Sequence, residues 1–190
     1  MTQTLARGET GIGAQFREEE RVVLWADING FSGMARRMGD MARVAQLFQA
    51  AYEVVGDAVT AEGGQILKYL GDAVLCLFPA GSELAAVRAG QEMRRRFEAV
   101  AERFGQGGQT GLKVLIGSGP MQVGEVGHAT HREVDAFGIE MFNAVSIESK
   151  GIAVTEAARR RLGDRFRLRE LAPLSKAWMA EPLRAWEIVE

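Results

Sequence analysis

The stretch Arg21-Val22-Val23-Leu24-Trp25-Ala26-Asp27-Ile28-Asn29-Gly30-Phe31-Ser32 decides how the rest of the chain is read. Val22–Ala26 is a continuous apolar run of strand length and predicts a buried strand. Asp27 ends the run, Gly30 follows, and a helical pattern begins soon after. A strand that carries an acid to its C-terminal end, then turns through glycine into a helix start, suits a metal–phosphate site. The carboxylate holds a cation, and the free N–H groups of the turn and helix start hold phosphate oxygens. An aspartate at a strand end is also ordinary turn or cap chemistry, and this stretch alone does not separate the two.

Gln65–Phe78 adds a second acid. Two β-rich runs, Ile66–Leu70 and Ala73–Phe78, are joined by Gly71-Asp72, a hairpin signal. Asp72 is then the hairpin tip, where aspartate is also a common turn residue. If the hairpin lies beside the first strand, Asp27 and Asp72 meet at one end of a sheet. Two carboxylates there suit a pair of divalent ions set against a polyphosphate.

Taken together, the two stretches resemble a known family. Asp27-Ile28-Asn29-Gly30-Phe31-Ser32 is similar to the Asp-Ile-x-Gly-Phe-[Thr/Ser] motif of class III nucleotidyl cyclases, the adenylate/guanylate cyclase catalytic domain. Lys68-Tyr69-Leu70-Gly71-Asp72 resembles that family's Lys-x-x-Gly-Asp hairpin, and Ile116–Gly127 its later Ile-Gly…Gly-x-Val-Gly hairpin. The resemblance runs from about Val22 to Glu187. It implies a ferredoxin-like core with extra C-terminal strands. It also implies conversion of ATP to 3′,5′-cyclic AMP and pyrophosphate with two divalent cations, Mg²⁺ or Mn²⁺, in a head-to-tail homodimer.

The family's roles carry over residue by residue. Asp27 and Asp72 are the implied metal ligands, with the Ile28 carbonyl on one ion and the Ile28–Phe31 backbone, Gly30 included, lining the triphosphate. Lys68 stands where the family accepts adenine, and Asp135 where it reads the exocyclic amine. An ammonium donates to a ring nitrogen and a carboxylate accepts from the amine, which matches adenine rather than guanine polarity. One position departs. The family carries Asn, then Arg four residues on, along the helix after Gly138. The count puts these on Phe142 and Ser146, or, with a one-residue insertion, on Asn143 and Ile147. The arginine that steadies the phosphorus is absent in either register. Lys150 substitutes only if the helix continues that far. Lys176 matches a triphosphate-binding lysine without the glycine that usually follows it.

Bulk properties set the frame. With 190 residues, 47% hydrophobic and 25% charged, the chain suits one soluble domain with a sizeable core. A net charge of −2 gives no pull toward nucleic acid. No apolar run is long enough for a membrane span, no signal peptide opens the chain, and the single cysteine, Cys76, lies within an apolar strand; a cytoplasmic protein is expected. Residues 1–20 read as a flexible lead-in and 21–190 as the catalytic domain.

The expected elements then follow in order. They are a helix from Val44 to Gly63-Gly64, the hairpin, and a helix from Ser82 to Phe104 with Ser82 as N-cap. Next come strands Leu112–Ile116 and Met121–Val126 joined through Gly117–Pro120, and a loop Gly127–Arg132 holding His128 and His131. A strand Glu133–Phe137, a helix Ile139–Ser149, a strand Gly151–Val154 and a Thr155-capped helix to Leu162 precede two last strands. The fold class is α+β, an antiparallel sheet with helices on one face. Three functions fit: an adenylate cyclase slowed by the missing arginine, a cyclase-like nucleotide-binding or regulatory domain, or a cyclase of another base preference.

Overall fold

The computed structural model describes residues 16–177 and 179–189; the lead-in expected over Met1–Gln15 lies outside the described residues. Strand β1 (Arg17–Ile28) runs through the middle of the sheet. Val22, Leu24, Ala26 and Ile28 enter one apolar core and Val23 enters another. Burial on both faces is why its sequence is a solid apolar run and not an alternation. The strand begins at Arg17, ahead of the Val22–Ala26 run that marks it in the sequence. The charged residues Arg17–Glu20 pair with Val123–Pro120 of the neighbouring strand, and ladder hydrogen bonds at a wet end need no apolar side chains.

Helix α1 (Phe31–Met38) starts at Gly30, whose φ of +66° is the left-handed conformation that glycine adopts without strain. Helix α2 (Met41–Ala61) is capped by Asp40, whose carboxylate accepts from Ala42 N at 2.9 Å and Arg43 N at 3.2 Å. The hairpin follows as β2 (Gln65–Leu70) and β3 (Ala73–Pro79), then helix α3 (Glu83–Arg103). Ser82 stands at the N-cap of α3 but makes no side-chain cap bond. Its backbone (φ −96°, ψ 25°) is not the extended one that aims a hydroxyl at the first-turn N–H groups. Cys76, in mid-β3, is fully buried, and burial pushes its thiol up to about 12.

The two strands expected around Gly117–Pro120 are a single 17-residue strand, β4 (Leu112–His128). Strand β5 (His131–Phe137) returns along it, and helix α4 (Ile139–Ser146) lies back over it. Gly117 is there for clearance: a Cβ would sit 2.5 Å from the Glu140 carbonyl oxygen of α4. The glycines read as a turn are thus the floor on which a helix rests. His128 and His131 face each other across the hairpin turn instead of sharing a loop. Both are exposed, His131 beside Glu133, and among the described residues no cluster of three or more His, Cys, Asp or Glu exists.

Strand β6 (Ile152–Thr155), helix α5 (Glu156–Leu162), β7 (Leu168–Glu170) and β8 (Ala185–Ile188) complete the chain, with Thr155 Oγ1 accepting from Ala158 N. The sheet order is β2-β3-β1-β4-β6-β8-β7, with β5 also on β4. Only β4 and β6 run parallel, so the sheet is mixed. The fold is α+β, with the ferredoxin-like arrangement in β2-β3-β1-β4. The one-face expectation needs correction. Residues of α1, α2, α3 and α5 join the core under one face, whereas Ala144 of α4 packs in the core under the other. Helix α4 also ends at Ser146, three residues earlier than expected, because Ile147 takes extended ψ.

Candidate functional site

The C-terminal end of β1 and the β2–β3 hairpin tip meet at one corner of the sheet. The β1–β3 register sets Asp27 opposite Ala73, the residue after Asp72. Ile28 N donates to the Asp72 carbonyl at 3.3 Å and Asn29 N to the Gly111 carbonyl at 2.8 Å, which fixes the turn from both sides. Burial holds the Asp72 carboxyl above its ordinary value, and the nearby Asp27 charge raises it further. Two carboxylates that cost each other free energy at neutral pH are a place for positive charge.

Part of that charge is already present. Lys113 Nζ of β4 lies 2.8 Å from Asp27 Oδ2, the two side chains 29% and 17% exposed. No local pattern marks Lys113 in the sequence. It becomes visible only through the β1–β4 register, which sets it opposite Asp27. Hard carboxylate oxygens are donors that a divalent ion such as Mg²⁺ or Mn²⁺ could take, and Asp27 and Asp72 are the residues that could hold one.

A second pair forms on the same hairpin. Lys68 Nζ donates to Asp135 Oδ2 of β5 at 2.5 Å. Asp135 is 9% exposed, and its other oxygen accepts from Ala136 N at 2.8 Å. The structure shows no contact between this pair and the Asp27–Asp72 corner within one chain.

A cleft of about 770 Å³ beside the corner is lined by Asn29, Lys113, Ser146, Lys150, Arg169 and Lys176, among others. Lys176 therefore shares a cavity with the loop after β1. Asn29 Nδ2 donates to the Lys150 carbonyl at 3.1 Å, and Arg94 Nη1 donates to the same oxygen at 2.8 Å. Lys150 thus reaches this cleft from a pinned loop, since α4 stops short of it. The two counts along α4 part here as well: Ser146 is half-exposed, its hydroxyl donating to the Phe142 carbonyl at 2.8 Å, while Ile147 is 5% exposed in the second core. Asn143 is turned to its own helix, donating to Glu140 Oε1 at 3.0 Å. Neither Asn143 nor Phe142 meets the Asp27–Asp72 corner.

No family model matches the chain. Among solved structures, the guanylyl cyclase Cya2 superposes with a TM-score of 0.81 at 19% identity, covering 91% of this chain and 93% of that one. The adenylyl cyclase CyaB from P. aeruginosa gives 0.80 at 21% identity over 93% and 96%. Adenylate cyclase 2 of Rhizobium meliloti (strain 1021) is 29% identical over 120 residues, 60% of this chain and 33% of that protein. The chain has the fold of class III cyclase catalytic domains and is similar in sequence to curated adenylate cyclases. The chain spans about a third of the length of that curated relative. No helix among the described residues is long and apolar enough to cross a membrane.

Proposed function

We propose that the chain is a catalytic domain that turns a nucleoside triphosphate, ATP by preference, into its 3′,5′-cyclic monophosphate and pyrophosphate within a homodimer. The observation that carries this is the meeting of Asp27 and Asp72 beside a glycine turn that opens a helix. Two Mg²⁺ or Mn²⁺ ions, when bound, lower the pKa of the 3′-hydroxyl and neutralise charge on the leaving pyrophosphate. Asp27, Asp72 and the Ile28 carbonyl would hold them. The backbone from Ile28 through Gly30 to Phe31 binds and orients the phosphates. Lys176 and Lys113, on the wall of the adjoining cleft, add positive charge for the tail. The 3′-oxygen–phosphorus bond forms as the bond to pyrophosphate breaks.

Lys68 and Asp135 read the base. In the free chain each satisfies the other; adenine inserted between them takes a donor on one side and an acceptor on the other. Asn143, if it turns away from Glu140, orients the ribose. The homodimer reading draws support from Ile139 and Phe142 of α4, 72% and 47% exposed, with Phe137 of β5 at 38%. These side chains form an apolar face on the element beside Asp135, where a second subunit would bring the base reader to the metal corner. A slower or regulatory role is the second reading, favoured by a half-exposed serine where the family has arginine and by the burial of Ile147.

The test is incubation with each of the four nucleoside triphosphates and Mg²⁺ or Mn²⁺, with product mass as the readout. Cyclic AMP made by the native chain and lost in Asp27→Ala and Asp72→Ala is expected. Retained turnover in Asp27→Ala would sink the two-ion reading.

A further inference from the structure

Tyr52, on α2, touches neither acid, yet its hydroxyl donates to the Gly71 carbonyl at 2.5 Å, one residue before Asp72. Gly71 has φ +64°, so the hairpin turns sharply at this residue. The Tyr52 ring packs tilted against Tyr69 of β2 with centroids 4.3 Å apart and stacks on Phe48 at 5.9 Å, and Phe48 stacks on Phe31 at 4.7 Å. Phe31 is the residue that follows Gly30. Four rings therefore join the loop after Asp27 to the hairpin that carries Asp72, across the surface of α2.

We infer that Tyr52 is a positioning residue that fixes the hairpin tip and so sets the approach of Asp72 to Asp27. The tip has few other holds: Gly71 is exposed, and the Ile28 N bond to the Asp72 carbonyl is long at 3.3 Å. Without Tyr52, the repulsion between two like-charged carboxylates is opposed only in part, by the Lys113 ammonium at Asp27 and by the Ile28 N bond and the strand pairing at Ala73, and the tip moves away from β1 more readily. Burial, with Tyr69 and Asp72 nearby, holds the Tyr52 phenol above its ordinary pKa, so it stays a donor across the working pH range.

This rests on the proposal that Asp27 and Asp72 bind the metal, and the test separates the two. Mn²⁺ binding to nucleotide-free protein is measured by electron paramagnetic resonance for the native chain, Tyr52→Phe, Asp72→Asn and the double variant. Amide exchange over Tyr69–Ala73 is followed without metal. Tyr52→Phe keeps the rings and removes one hydrogen bond. It should bind Mn²⁺ about three- to tenfold more weakly, with hairpin exchange faster and the melting temperature nearly unchanged. It should have no further effect in the Asp72→Asn background. Native-like Mn²⁺ affinity in folded Tyr52→Phe, or unchanged hairpin exchange, overturns the inference alone. A native chain that binds no Mn²⁺ overturns the metal proposal and this inference with it.

Discussion

Replacing Lys113 by methionine keeps the length of the side chain and removes its charge. In the free chain the ammonium sits 2.8 Å from Asp27, so an arriving cation must displace it or share the carboxylate. Coulomb's law at that distance gives about 6 kcal/mol for an effective dielectric near 20. Most of this is returned when the ammonium regains water, because the pair is partly exposed; about 1–2 kcal/mol is a reasonable net, or roughly 5- to 30-fold. Lys113→Met should therefore bind Mn²⁺ about that much more tightly in nucleotide-free protein, read by calorimetry at neutral pH. The same change should move the acid limb of metal binding to higher pH, because the Lys113 charge lowers the Asp72 carboxyl and its loss lets that carboxyl rise. Unchanged or weaker Mn²⁺ affinity would refute the competition and make Lys113 a strut that holds Asp27 in place.

Asp72 titrates above its ordinary value in the folded chain, so the stability this gives is complete at low pH and is lost as pH rises through the raised value. At neutral pH its ionised form destabilises the metal-free fold; Asp72→Asn should raise the melting temperature at pH 7, and the gain should vanish below about pH 4. Calorimetric scans at both pH values check this. Ser146→Arg should raise kcat by up to about two decades with little change in KM, because the added donor acts mainly in the transition state. Steady-state kinetics decide it, and a variant no faster than the native chain would mean that the helix register has been miscounted. Lys68→Glu with Asp135→Cys should lower ATP use relative to GTP use by about 1–3 kcal/mol per lost pairing, measured as a ratio of kcat/KM values.

Local chemistry made part of this legible. The apolar run of β1 could be read because both its faces are covered. The hairpin could be read because Gly71-Asp72 interrupts two β-rich runs, and α2 because its buried positions recur at helical spacing. What escaped depends on partners distant in sequence. Gly117 looks like a turn until the Glu140 backbone is seen above it. The length of β1 beyond Arg21 depends on pairing with β4, and the side of the sheet that α4 takes is invisible to periodicity. Lys113 and Tyr52 carry no motif. One acquires its place from strand register and the other from a hydrogen bond spanning 19 residues.

Cys76 supplies the chain with a clock. It is the sole thiol in the sequence, and it lies sealed in the strand that leads away from Asp72. Poorly ionised where it sits, it reacts with an alkylating reagent only in molecules whose β3 has parted from its neighbours. The labelling rate in native buffer therefore times how often that strand opens, without any engineered probe. Nucleotide or Mn²⁺ that tightens the Asp27–Asp72 corner should slow the clock, and the slowing can be counted by mass one molecule at a time.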